Sequence, residues 1–128
     1  MKTLLEILLV GCGSFVGGAA RFLVAKALPV GGAAGFPWAT FAVNVAGCFL
    51  LGAVSGFAGR AGGLDPRLRL LLATGFCGGF TTFSTFLGEN AAFLRSGHDT
   101  LAAIYVASSL ALGLAAVVAG YKAMNWAT

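Results

Sequence analysis

The chain has 128 residues, is 59% hydrophobic and 9% charged, and carries a formal net charge of +4 with a mean hydropathy of +0.93. That composition lies outside the range of soluble globular domains and describes an integral membrane protein. The eight Lys and Arg residues are spread over the ends of apolar stretches, a pattern that suits lipid headgroups and argues against a nucleic-acid partner.

Four segments each supply the roughly 20 apolar residues a spanning helix needs. The first is expected from about Leu4 to Leu28, continuing past Arg21. Its start imitates a lipoprotein signal ending at Cys12, but Glu6 interrupts an already short apolar region and the apolar pattern runs on beyond the cysteine. The second, from about Trp38 to Ala58, follows the loop PVGGAAGFP, bracketed by Pro29 and Pro37. GSFVG (Gly13 to Gly17) and GAVSG (Gly52 to Gly56) are small-xxx-small pairs, serving either tight packing within one subunit or a dimer face.

The third helix is expected from Pro66, a favourable first-turn residue, to about Leu94, and the fourth from about Thr100 to Met124. Together they occupy residues 1–128 as a single four-helix transmembrane domain, with no room for a separate soluble domain. Four spans put both termini on one side with Lys2, Arg60, Arg67, Arg69 and Lys122, leaving Arg21, Lys26 and Arg95 on the other. Five against three is a weak bias, compatible with insertion in either orientation. Four short helices rarely enclose both a core and a pathway, so a polar route through the membrane favours an oligomer. Cys12, Cys48 and Cys77 stand in separate apolar segments without histidine neighbours and read as small buried thiols.

The run CGGFTTFSTF, Cys77 to Phe86, departs from this apolar background. Gly78-Gly79 followed by Thr81-Thr82 predicts that the third helix breaks near 78–81, at mid-membrane, where non-helical backbone is tolerated only inside protein or along a cavity. Such a break either turns carbonyl oxygens to a hard cation such as Na⁺ or is a glycine-packed kink without an ion. If the helix resumes near Thr82, Phe83 and Phe86 share a face with Asn90 beneath them, Thr82, Thr85 and Glu89 form a polar stripe, and Ser84 lies to the other side. Phenylalanines at this spacing often only pack, and hydroxyls in a span often bond to their own helix. Their concentration here has a logic for a small anion, because aromatic ring edges are positive and Ser, Thr and Asn side chains donate hydrogen bonds. Asn44, in the middle of the second span, serves either such a route or an interhelical hydrogen bond. Tyr105 and Ser109, four apart on the last helix, extend the route or serve structure.

On these residues the chain resembles the Fluc (CrcB-type) fluoride channel family over nearly its whole length. GGFTTFSTF is similar to the family's central signature, and residues Gly13 to Phe22 to its first-helix pattern GGxxGAxxRY, with Ser14, Gly18 and Phe22 departing from it conservatively. Thr40 to Gly47 resembles the family's segment around an asparagine. The resemblance implies an antiparallel, dual-topology homodimer in a bacterial inner membrane, with two pores that export fluoride passively and confer fluoride resistance. It implies Phe83 and Phe86 as pore phenylalanines and Asn44 as a fluoride-contacting amide. Thr82, Ser84, Thr85 and Glu89 would form the polar track, with Tyr105 and Ser109 beside the pore. It also implies a structural Na⁺ at the centre, held by backbone carbonyls of Gly78 and Thr81 from both subunits. Arg21 would attract anions at a vestibule, or else snorkel to the headgroups.

The main alternative is a proton-coupled small-ion or drug transporter of the four-helix, dual-topology type. It requires a titratable carboxylate deep in the membrane, whereas Glu6 is near the terminus and Glu89 toward the end of its helix. A purely structural membrane subunit would conduct nothing. An enzyme is not expected: the single histidine, His98, falls in the last loop, and no nucleophile is spaced to a base.

Overall fold

The computed structural model describes residues 1–29, 35–60 and 62–126, and every regular element among them is helical. The centre of the loop expected between the first two helices, 30–34, lies outside the described residues. Lys2–Ala27, Trp38–Ala58, Pro66–Arg95 and Asp99–Asn125 are each long and apolar enough to cross a membrane, so the chain is a multi-pass membrane protein. We label the helices α1 (Lys2–Ala27), α2 (Trp38–Ala58), α3 (66–80), α4 (Phe83–Arg95) and α5 (Asp99–Trp126). The third span is thus two helices, α3 and α4, in line but interrupted.

Local chemistry fixes the ends of the broken span. Asp65 caps α3 by accepting the Arg67 backbone N–H at 2.8 Å, with Pro66 in the first turn. At the far end, Gly97 adopts φ 77°, and the N–H groups of Gly97 and His98 return to the carbonyls of Leu94 and Phe93 at 3.3 and 2.8 Å. This pair of bonds closes α4 in a geometry that disfavours any residue with a Cβ at position 97.

Glycine decides the packing. A Cβ at Gly13 would run into the Leu71 carbonyl, and one at Gly17 into the Phe76 carbonyl, while Gly79 seats against the Ser14 backbone. Ser14 Oγ also donates to the Gly75 carbonyl at 3.3 Å. On the other side of the molecule a Cβ at Gly52 or Gly56 would strike the Val117 or Tyr121 carbonyl, and one at Gly120 the Phe49 carbonyl. Both small-xxx-small pairs are therefore used for packing within one chain, α1 against α3 and α2 against α5. The first pairing coincides with an unusual backbone: Leu70–Cys77 within α3 is π-helical, between α-helical Pro66–Arg69 and Gly78–Phe80.

Where α2, α4 and α5 meet, Phe41, Phe86, Phe93, Ala102 and Tyr105 form a buried cluster. Phe15, Phe22, Leu23, Leu110 and Leu114 point outward, as expected of side chains that face lipid rather than water.

Candidate functional site at the break of the third span

The extended residues between α3 and α4 are Thr81 (φ −85°, ψ 158°) and Thr82 (φ −149°, ψ 118°). The sequence suggested an interruption over 78–81, but Gly78–Phe80 stays helical. The missing side chain of Gly79 is spent on close approach to Ser14, not on unwinding. What opens the backbone is a competing partner. In an unbroken helix the Thr82 N–H would bond to the Gly78 carbonyl. Instead it donates to Asn44 Oδ1 at 2.7 Å, and Asn44 Nδ2 donates back to the Thr82 carbonyl at 3.1 Å. One side-chain amide thus pairs with both backbone groups of a single residue, as a neighbouring strand would.

Further bonds hold the two ends. The Thr81 hydroxyl and N–H both donate to the Cys77 carbonyl, at 2.8 and 3.0 Å, and its methyl lies where any side chain at Gly47 would fall. Thr82 Oγ1 accepts the Thr85 N–H at 3.3 Å and so caps α4. Arg21 Nε donates to the Gly79 carbonyl at 3.1 Å, placing a cation at the carbonyl end of α3, where the helix dipole favours it.

One helical turn beyond Phe86, a second polar cluster forms. Glu89 Oε1 accepts the Tyr105 hydroxyl at 2.7 Å, and its Oε2 accepts the Thr40 hydroxyl at 2.9 Å. Hydrogen bonds to a carboxylate are among the stronger ones available inside a protein. The Tyr105 ring is fully buried, and Phe36, Phe86 and Phe93 meet it nearly perpendicular with centroids at 5.2, 4.8 and 6.2 Å. Asn90 Nδ2 bonds to the Phe86 carbonyl at 2.9 Å, while Asn90 Oδ1 and Ser109 Oγ are buried with no partner among the described residues.

The anticipated residues therefore fall into groups. Asn44, Gly78, Thr81, Thr82 and Phe83 line one cavity of about 310 Å³ at the break. Glu89 and Tyr105 belong to the second cluster with Phe86, and Ser109 stands a turn farther along α5. Phe83 and Phe86 differ sharply in environment: their centroids are 6.2 Å apart, but Phe83 is 70% exposed and Phe86 only 5%. Ser84 and Thr85 lie exposed on α4, and Gly78 is exposed with open space where a Cβ would stand. Thr40 is the polar partner that sequence reasoning did not assign a role, although it lies one turn before Asn44 on the same face of α2. No group of three His, Cys, Asp or Glu side chains able to hold a metal occurs among the described residues.

Residues 8–121 match a family model described as CrcB-like protein, Camphor Resistance (CrcB). The chain is 54% identical over 115 residues, 90% of each chain, to a protein of Chlorobaculum tepidum named Fluoride-specific ion channel FluC. Relatives of the same name from Chlorobium phaeobacteroides strain BS1 and Rhizobium johnstonii are 49% and 42% identical. The first of these alignments covers 94% of each chain, and the second 95% of this chain and 98% of the relative.

Proposed function

Because the chain belongs to the CrcB-like family, whose members are channels and not enzymes, we propose that it is a fluoride-selective passive channel releasing fluoride from the cytoplasm across a bacterial inner membrane. The observation that carries this reading is the cavity at the break, which brings an amide, a threonine and an exposed phenylalanine ring together in an otherwise apolar span. Fluoride is strongly hydrated, so a selective path must replace its water shell with donors in a narrow space. Asn44 supplies one: its Nδ2 has two hydrogens, and one goes to the Thr82 carbonyl. The ring edges of Phe83 and Phe86 supply positive potential without a full charge, and Thr82, Ser84 and Thr85 line the way with hydroxyls. Glu89, Tyr105 and Ser109 continue the polar track, and Arg21 raises anion concentration at its mouth.

The working unit in this reading is an antiparallel homodimer with two pores, which covers the exposed face around Gly78 and Phe83 and agrees with the weak charge bias between the two membrane sides. The residues at the break fit a central Na⁺. The Gly78 carbonyl has lost its helical donor to Asn44, Thr81 is extended, and backbone oxygens are suitable ligands for a hard cation. Two carbonyls from each subunit would hold the ion, whose contribution is a fixed positive charge between the pores.

Hydrogen fluoride crosses membranes and ionises at cytoplasmic pH, so a passive path suffices for the anion to leave down its gradient. A proton-coupled mechanism would have to use Glu89, both of whose oxygens are already engaged by hydroxyl donors. The test is ion efflux from liposomes holding the purified protein, started with a K⁺ ionophore. Rapid fluoride efflux with no chloride efflux is expected; absence of fluoride efflux from well-folded protein would overturn the reading for this chain acting alone.

A further inference from the structure

Away from the break, the starts of α1 and α3 border a cavity of about 900 Å³ whose charged side chains are Lys2, Glu6, Asp65 and Arg67, with the Met1 ammonium beside them. Lys2 and Glu6 are four residues apart and share a face of α1, while Asp65 and Arg67 close the opposite wall. Asp65 gives one carboxylate oxygen to the α3 cap, and no ion pair joins the four side chains among the described residues. Glu6 and Leu70 also line an adjoining, almost wholly apolar cavity of about 330 Å³ with Thr3, Ile7 and Val10. Positions 3, 7 and 10 form one stripe on α1, about 10 Å long at the helical rise.

A polar mouth with both signs of charge thus opens at the end of two spanning helices, and an apolar groove leads from it along the same helix pair. We propose that this cleft binds a phospholipid with a primary-ammonium headgroup, a phosphatidylethanolamine, from the leaflet that contains the starts of α1 and α3. Arg67 and Lys2 take the phosphate, Glu6 and the free side of Asp65 take the ammonium, and the upper part of one acyl chain fills the groove beside Ile7, Val10 and Leu70. The charge pattern selects the headgroup. A phosphatidylglycerol headgroup has no cation: its hydroxyls can donate to a carboxylate but leave the charge of both uncompensated. Phosphatidylcholine has a cation with no N–H to donate. The ammonium group alone brings both N–H donors and a positive charge to the two acids while its phosphate meets the bases. This inference rests on the chain's spanning a membrane and is independent of which ion it conducts.

Native mass spectrometry of the full-length protein, released from detergent micelles containing equal amounts of phosphatidylethanolamine, phosphatidylcholine and phosphatidylglycerol of one chain length, tests it. The expected result is retention of phosphatidylethanolamine about tenfold over the other two. Glu6→Gln and Arg67→Gln should each remove most of that preference, while Lys122→Gln, a charge change outside the cleft, leaves it in place. Equal retention of the three lipids, a preference for phosphatidylglycerol, or an undiminished preference in the Glu6→Gln/Arg67→Gln double variant would each overturn the proposal. Unchanged thermal unfolding and size-exclusion profiles of the variants make the loss of lipid attributable to the cleft and not to misfolding.

Discussion

The two halves of the third span are built on opposite principles. Up to Phe80 the chain is held by its backbone: Gly75 and Gly79 lie against Gly13 and Ser14, and carbonyls of α3 abut Gly13 and Gly17. From Phe83 onward it is held by side chains, through the Phe86 ring and the two-sided grip on Glu89. Where it faces α1, the first half tolerates almost no added volume but asks little of side-chain chemistry. The second leaves Phe83, Ser84 and Thr85 uncovered, and needs particular functional groups in return. A rigid half and a chemically specified half thus meet at two residues, and it is there that the candidate pathway lies.

Substitutions should separate these principles, first by folding and last by flux alone. Gly17→Val or Gly79→Val forces a side chain into backbone and is expected to cost about 3 kcal/mol or more, seen as loss of folded protein by size-exclusion chromatography. Gly78→Val, one residue away but facing open space, should leave the single-chain fold intact and weaken only the proposed dimer, read by cross-linking in liposomes. Asn44→Ala strands both backbone groups of Thr82 at a cost of about 3 kcal/mol and abolishes fluoride efflux. Glu89→Gln keeps one acceptor for two hydroxyl donors and should lower stability by about 1–2 kcal/mol, measured by thermal unfolding, with slower efflux. Phe83→Ile should move the stability of the single chain by less than about 0.5 kcal/mol, because the ring is largely exposed within it, yet reduce fluoride efflux to the leak of empty vesicles. Wild-type flux in that variant would remove the aromatic edge from the mechanism.

Sequence pattern revealed the spans because hydropathy over 20 residues is a one-dimensional property. It also pointed to an interruption near 78–81, although the glycine pair stays helical and the extended residues are Thr81 and Thr82. It did not reveal why the helix opens, because the Asn44 clasp joins positions 38 apart. Nor could it assign Thr40 to Glu89, a pairing across 49 residues, or bring Arg21 onto the Gly79 carbonyl. The π-helical stretch Leu70–Cys77 has no compositional mark. Its widened turn lies where α3 docks on Gly13 and Gly17, and it defeats any face assignment carried at 3.6 residues per turn from Pro66 to Gly79. The glycine pairs themselves were ambiguous for a similar reason: a small-xxx-small pattern says that a backbone approaches, not whose backbone it is.

The Asn44 clasp has one further property. A carboxamide neither gains nor loses a proton over the physiological range, so the geometry it imposes on Thr82 stays the same in acidic and in neutral surroundings. An aspartate at this position would offer only acceptors, and a histidine would change its donor pattern within the very interval in which a weak acid enters a cell and dissociates. The opening in the third span is therefore secured by a group that is indifferent to acid.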